Sequence, residues 1–330
     1  MAAVRVRQGV PWFWLVVLLA AAALALVTWW VSNGGINRGE ALKTGGLAAG
    51  SVVALYALWL NDRRRRVEEQ RHALESQRAE HDRERVADER FARAVELLGH
   101  DTDQVRVGAL HALAGLARSR DRYTQIVLDV LCAYLRRPFD PPDEGDGEGI
   151  REQQVRVTAQ RLIADLLPGA SDVDPPEYDL DLHGATLEYF DISYRVVGQL
   201  RARRTQLYES TSFKGLVVRR EAWFTDARCP GRLYAPGIVF HDVCWFSGFE
   251  ARGIVDFRGA RFAGRTKFAN AIFRGPVSFQ DTTFLDDHDF GNVKVALQEP
   301  HQLPDGFTAD PIGKDFGLVR APAQGYVAGQ

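Results

Sequence analysis

The densest group of ligand-type side chains in this sequence is the run Asp286, Asp287, His288 and Asp289. Carboxylates and imidazole hold metals readily, but ligands adjacent in sequence point apart, so the run reads as a solvated turn. His241, Asp242 and Cys244 set an acid–base pair beside a thiol. That grouping is equally poor for chemistry, because Cys244 falls on an apolar grid and turns inward. The glycine-rich "GDGEG" at 145–149 has neither the strand and helix context nor the lysine of a phosphate loop. Cys132, Cys229 and Cys244 form an odd set without a CxxC spacing, which argues against a disulfide framework and fits a reducing compartment. No catalytic, cofactor-binding or metal-binding residue is assigned from the sequence, and the expectation is a protein that is not an enzyme and uses no cofactor.

The elements around these residues explain more. A formal charge of −2 over 330 residues gives no sign of nucleic-acid binding, and the length leaves room for about two domains. No charged residue occurs between Arg7 and Arg38. Within that window "PWFWLVVLLAAAALALVTWWV" (11–31) has the length of a bilayer span, about 20 residues, with Trp12, Trp14, Trp29 and Trp30 at its two interfaces. A second apolar run, "TGGLAAGSVVALYALWL" (44–60), is rich in Gly and Ala, which lets two helices pack closely. A cleaved secretory signal is the competing reading, but the first run is too long for a signal core and a second span follows it. Arg5, Arg7 and the "RRRR" at 63–66 flank the pair, so the positive-inside rule puts both termini in the cytoplasm. Residues 1–60 are therefore expected to form a two-span transmembrane hairpin in the plasma membrane.

Residues 61–95 are densely charged in both signs, without Pro or Gly, and read as a helical stalk. Val67, Leu74, His81 and Val95 fall on a seven-residue grid that Asp88 interrupts, so the stalk is either a coiled-coil dimer or a solvated helix. Within 96–170 a segment recurs: "QVRVGALHALAGLA" from Gln104 and "QVRVTAQRLIADLL" from Gln154. Both copies carry apolar residues at helical spacing, and Asp103 is placed to cap the first. "RYTQIVLDVLCAYLRRPF" (122–139) reads as a packing helix between them, and "DPPDEGDGEG" (140–149) as a flexible loop. The pattern resembles HEAT or armadillo-type helical repeats. The recurring Arg106 and Arg156 are assigned to hydrogen bonding between helices.

From Phe213 to Phe290 phenylalanine recurs with a period of eleven: Phe213, Phe224, Phe246, Phe257, Phe268, Phe279 and Phe290, with Ala235 in the gap. Phe240, Phe262, Phe273 and Phe284 make a second grid, with Ala251 between. The residue two places earlier is mostly small or β-branched, as at Thr211, Ala222, Cys244, Val255, Thr266 and Val277. Gaps of five throw alternate rings off a helical stripe, and Gly248, Gly253, Gly259, Gly264 and Gly275 break a helix. A flat strand sends neighbouring rings to opposite faces. The remaining geometry is a coil that turns a corner about every five residues, each short face sending one large and one small side chain inward. Upstream, Leu182, Leu187, Ile192 and Val197 keep strict fives.

With units such as "ATLEY" and "ARFAG", residues 178–295 resemble pentapeptide-repeat proteins. The resemblance implies a right-handed quadrilateral β-helix, so the fold class is mixed: a transmembrane hairpin, an α-helical segment and a pentapeptide-repeat solenoid. The layout as a whole resembles membrane-anchored bacterial members of that family. About 22 residues per coil gives some five coils. "RARRTQLYES" (201–210) and "WFTDARCPGRLYAPG" (223–237) depart from clean repeats, so bulges are expected there. The helical segment is expected to cap the N-terminal end of the rod, the coil to finish near His288, and 296–330 to be an extended or disordered tail.

Some relatives of this kind mimic DNA and inhibit topoisomerases, which requires an acidic rod. Residues 178–295 hold sixteen Lys and Arg against fourteen Asp and Glu, so DNA mimicry is not expected and no nucleic-acid partner is assigned. The functional expectation is a membrane-tethered interaction scaffold, with a sensor that signals through the stalk as the alternative. Its expected partners are an unidentified protein, the lipid bilayer and a second copy through stalk or hairpin. Outward arginines such as Arg258, Arg261, Arg265 and Arg274 face either solvent or an acidic partner.

Overall fold

The computed structural model describes residues 20–22, 25–27, 29–30, 38–143 and 145–321. Contacts divide the chain into two units, Met1–Arg85 and Val86–Gln330. The first proposed span, 11–31, falls largely outside the described residues. The second, 44–60, lies inside one 61-residue helix, α1 (Arg38–Leu98). Among the described residues no helix is long and apolar enough to cross a membrane, so the hairpin finds no support in them. The charged stretch of α1 carries pairs such as Arg66–Asp62 at 2.7 Å, four residues apart.

Three further helices follow in the second unit: α2 (Asp103–Ser119), α3 (Thr124–Leu135) and α4 (Gly147–Leu166). The recurring segment forms α2 and α4, and α3 between them is the expected packing helix. Leu110, Leu113, Val127, Leu128, Leu131, Ala159 and Ile163 are fully buried among these helices. Likeness to HEAT repeats gains no support. Two local expectations change. Thr102, not Asp103, is the N-cap of α2, and Asp103 stands in the first turn, where a carboxylate suits the helix dipole. The acidic segment ends in helix, with Asp146 capping α4 by accepting from the Gly149 N–H at 2.9 Å.

Beyond Pro168 the chain winds as a β-solenoid of about six turns with four parallel faces. Each face is named here by its first strand. In the Leu180 face, Leu180, Leu200, Ala222, Cys244, Thr266 and His288 lie in register. The step is 20 residues at first and 22 thereafter. The Thr186 face takes the same steps, the Val196 face opens with a step of 21, and the Ser210 face keeps 22 until a last step of 24 from Val277 to His301.

That register explains the phenylalanine rhythm. Eleven residues are half a coil, so one grid splits into two columns on different sides of the core. Phe224, Phe246, Phe268 and Phe290 stack at 4.5, 4.8 and 5.0 Å between ring centres. Phe257 and Phe279 stack at 5.4 Å in the other column, which meets the first edge-on, at 74° for Phe246–Phe257 and 89° for Phe268–Phe279. Phe240, Phe262 and Phe284 form a third column at 5.2 and 4.9 Å. Offset and edge-to-face aromatic pairs each add about 0.5–1.5 kcal/mol beyond the area they bury.

Corners obey two rules. At one, Asp226, Gly248, Asn270 and Asn292 take positive φ, a conformation open to Gly, Asn and Asp. At another, Gly231, Gly253 and Gly275 stack so closely that a Cβ on Gly253 would fall 1.9 Å from the Gly231 carbonyl oxygen.

Both ends are closed, one as expected and one differently. At the N-terminal end the Gln125 amide pairs with the Asp179 backbone, donating to its carbonyl at 3.0 Å and accepting from its N–H at 2.8 Å, as a further strand would. Gln160 accepts from the Glu188 N–H at 3.1 Å, and Thr186 donates to the Phe139 carbonyl at 2.9 Å. At the C-terminal end the coil does not finish at His288. His288–Asp289 is itself a strand paired with Thr266–Lys267, and His301–Gln302 pairs with Val277–Ser278. The expected extended or disordered tail is instead, to residue 320, a hairpin of Thr308–Ile312 and Phe316–Arg320 that adds antiparallel to Lys294–Ala296. Phe307 covers Phe290 at 4.9 Å. Pro311 sits in the outermost strand, where its missing N–H discourages further pairing.

Candidate interaction surface

Because the large side chains point inward, chemistry available to a partner lies on the outward positions, one strand residue apart. The Leu180 face carries the most distinctive set. Along its central outward row Arg201, Trp223, Trp245, Lys267 and Asp289 lie in register. Arg201 and Arg203 place their guanidinium groups over the Trp223 ring at 5.3 and 4.9 Å, and the Lys267 ammonium lies 5.4 Å from the Trp245 ring centre. Such cation–π contacts hold the cations beside the rings while their charge stays at the surface. The two rows flanking this one are Gln199, Glu221, Val243, Arg265, Asp287 and Arg203, Thr225, Ser247, Ala269, Gly291. Glu221 accepts from the Gln199 amide at 2.8 Å, and that bond lowers its carboxyl pKa, helped by the nearby Arg220 and Arg201.

The outward arginines divide into paired and unpaired groups. Arg258 forks onto Asp256, a carboxylate almost fully buried in its strand, with contacts of 2.7 to 3.1 Å. Arg274 donates to Glu250 at 2.8 Å and covers the Phe316 ring at 5.5 Å. Arg261 and Arg265 are exposed.

The other groups singled out in the sequence do not converge. Asp286, Asp287, His288 and Asp289 are all exposed, with Asp286 and Asp289 accepting from the neighbouring Asp287 and Gly291 N–H groups at 2.7 and 2.8 Å. The His288 ring lies on Phe284 at 4.9 Å. Among the described residues no three His, Cys, Asp or Glu side chains gather as metal ligands. His241 is exposed, its imidazole pKa lowered by partial burial and by Arg219 and Arg261, whereas Cys244 is sealed in the core with its thiol pushed well up by burial. Arg106 binds Glu152 and donates to the Tyr134 hydroxyl at 3.2 Å. Arg156 is 1% exposed, donates to the Leu135 and Thr186 carbonyls and lies 4.6 Å from the Phe139 ring centre. Both arginines tie elements together, as assigned from the sequence.

A second surface feature is an open, mostly apolar groove of about 800 Å³ between the last turns of α1 and α2, lined by Val86, Phe91, Ala94, Leu97, Leu113 and Leu116. The tryptophan row was missed in the sequence, although Trp223 and Trp245 lie one coil of 22 residues apart and carried the signal.

Residues 252–294 match a family model described as Pentapeptide repeats (9 copies). Comparison with curated proteins and with solved structures found no match. The chain thus carries pentapeptide repeats, wound into a β-solenoid with a helical segment at its N-terminal end.

Proposed function

We propose that this protein is a non-enzymatic interaction scaffold whose solenoid presents flat, ordered faces to a protein partner. The observation that carries the reading is the inside-out division of the coil. Most phenylalanine rings and all three thiols are consumed by the core, and the outward side chains are displayed in straight rows about 4.8 Å apart rather than around a cleft. Repeat stacks of this kind suit extended protein contacts. The reading includes tethering of the scaffold at the membrane by residues 1–60, with both termini cytoplasmic. Its support is the uncharged stretch before Arg38 and the exposed Leu58, Trp59 and Leu60, with Arg63 against the Trp59 ring. Crosslinking in cells followed by co-purification of the full chain tests the scaffold, and a stoichiometric protein partner is the expected result. A stimulus-dependent oligomer without any other partner would favour the sensor instead. A C-terminal tag reached from outside intact cells would refute the tethering orientation.

A further inference from the structure

The Leu180 face is complementary to itself. Consider two copies face to face, related by a two-fold axis that runs along the strands through the coil of Trp245. The operation reverses the order of the coils and keeps each outward row opposite itself. In the central row Arg201 then meets Asp289 of the second copy, Trp223 meets Lys267, and Trp245 meets Trp245. In one flanking row Glu221 meets Arg265, Gln199 meets Asp287, and Val243 meets Val243. In the other, Arg203 meets Gly291, Thr225 meets Ala269, and Ser247 meets Ser247. Opposite charges face each other at two positions and a cation faces an indole at a third. No like charges meet, and the small residues fall together in one row. The alternative axis, along the solenoid, sets each coil against its own copy and brings Arg201, Lys267 and Asp289 each against itself. Like charges held opposite one another across an interface are destabilising, so charge selects the antiparallel arrangement.

We propose that the Leu180 face is an isologous docking surface for a second copy of this chain, packed antiparallel with Trp245 on the two-fold axis. Closed two-fold contacts of this type require a patch that complements itself. An indole with a cation beside it suits the centre of such a patch, since Trp and Arg dominate interface energetics. The paired rows cover five of the six coils of this face and three residues across, smaller than the about 800 Å² per partner of stable complexes. The dimer is therefore weak in dilute solution and is populated at high local concentration. This inference goes beyond the proposed function and needs neither the tether nor a heterologous partner.

Two experiments on the purified full chain in detergent test it together. Ser247→Cys places a thiol on the axis, and a short bis-maleimide, which spans the about 10 Å between packed sheets, should link it to its own copy. The native cysteines are buried and supply no competing site. Sedimentation velocity up to about 0.5 mM, a range suited to small interfaces, should show a dimer that Arg265→Glu weakens at least about tenfold by setting two carboxylates opposite each other. The double exchange Glu221→Arg with Arg265→Glu should restore it. A monomer throughout the range overturns the proposal. So does a dimer indifferent to Arg265→Glu in a chain whose Ser247→Cys variant does not crosslink, because that dimer uses another surface.

Discussion

A phenylalanine on this solenoid is worth what its column makes it worth. Phe246 is 1% exposed and stacks between Phe224 and Phe268 while meeting Phe257 edge-on. Phe246→Ala removes a ring from the middle of a stack that cannot collapse, because backbone hydrogen bonds fix the coil spacing. The expected loss is about 3–5 kcal/mol, read from the shift in the urea unfolding transition. Arg261→Ala, on an exposed outward position, should shift it by no more than about 0.5 kcal/mol. The thiols behave as small core residues of the same kind. Burial pushes Cys132 and Cys229 up to about 12, against an ordinary value of 9.0. Below that ordinary value the thiols are protonated whether the chain is folded or not. Above it only the unfolded chain ionises, so stability falls as pH rises from about 9 towards about 12. Cys132→Ala with Cys229→Ala should reduce that alkaline slope in pH-dependent melts, leaving the share of the equally buried Cys244, and at pH 8 iodoacetamide should label the native protein far more slowly than the unfolded one.

The elements meet where α3 and α4 cover the first coil, and there one arginine carries several carbonyls at once. Arg156 donates to Leu135 on α3 and to Thr186 on the first coil, and its pKa is lowered because burial outweighs its neighbouring acids. Arg156→Ala strands those carbonyls, at about 1–3 kcal/mol for each buried group left unpaired. Hydrogen exchange should then speed up first at Leu180–Glu188 and along α4, while Phe257–Phe290 stays protected; uniform acceleration would show that the cap and coils unfold as one unit. The role of this residue was legible only in part. Its recurrence as Arg106 and Arg156 marked a structural arginine, but a helical pattern cannot say that one copy would reach a solenoid strand. Periodicity located the coils well because each inward position is forced by volume. It stopped too early at His288, where an exposed imidazole occupies a core position of the last coil, and the antiparallel hairpin beyond obeys no five-residue rule. The outward rows were least legible, since nothing selects Trp223 and Trp245 as neighbours until the 22-residue step is known.

At the scale of the whole molecule the solenoid holds its outward rows rigid and leaves four chemically different faces for recognition. The central claim is that these faces, and not an internal site, are where the protein acts. The most direct measurement places a photo-crosslinking amino acid in the full chain, in cells, at one outward position per face: Trp223, Ile272, Ser278 or Arg261. Discrete adducts with one protein, from one face or two adjacent faces, are the predicted result. Variants that fold and yet give no adduct from any of the four faces would contradict the account.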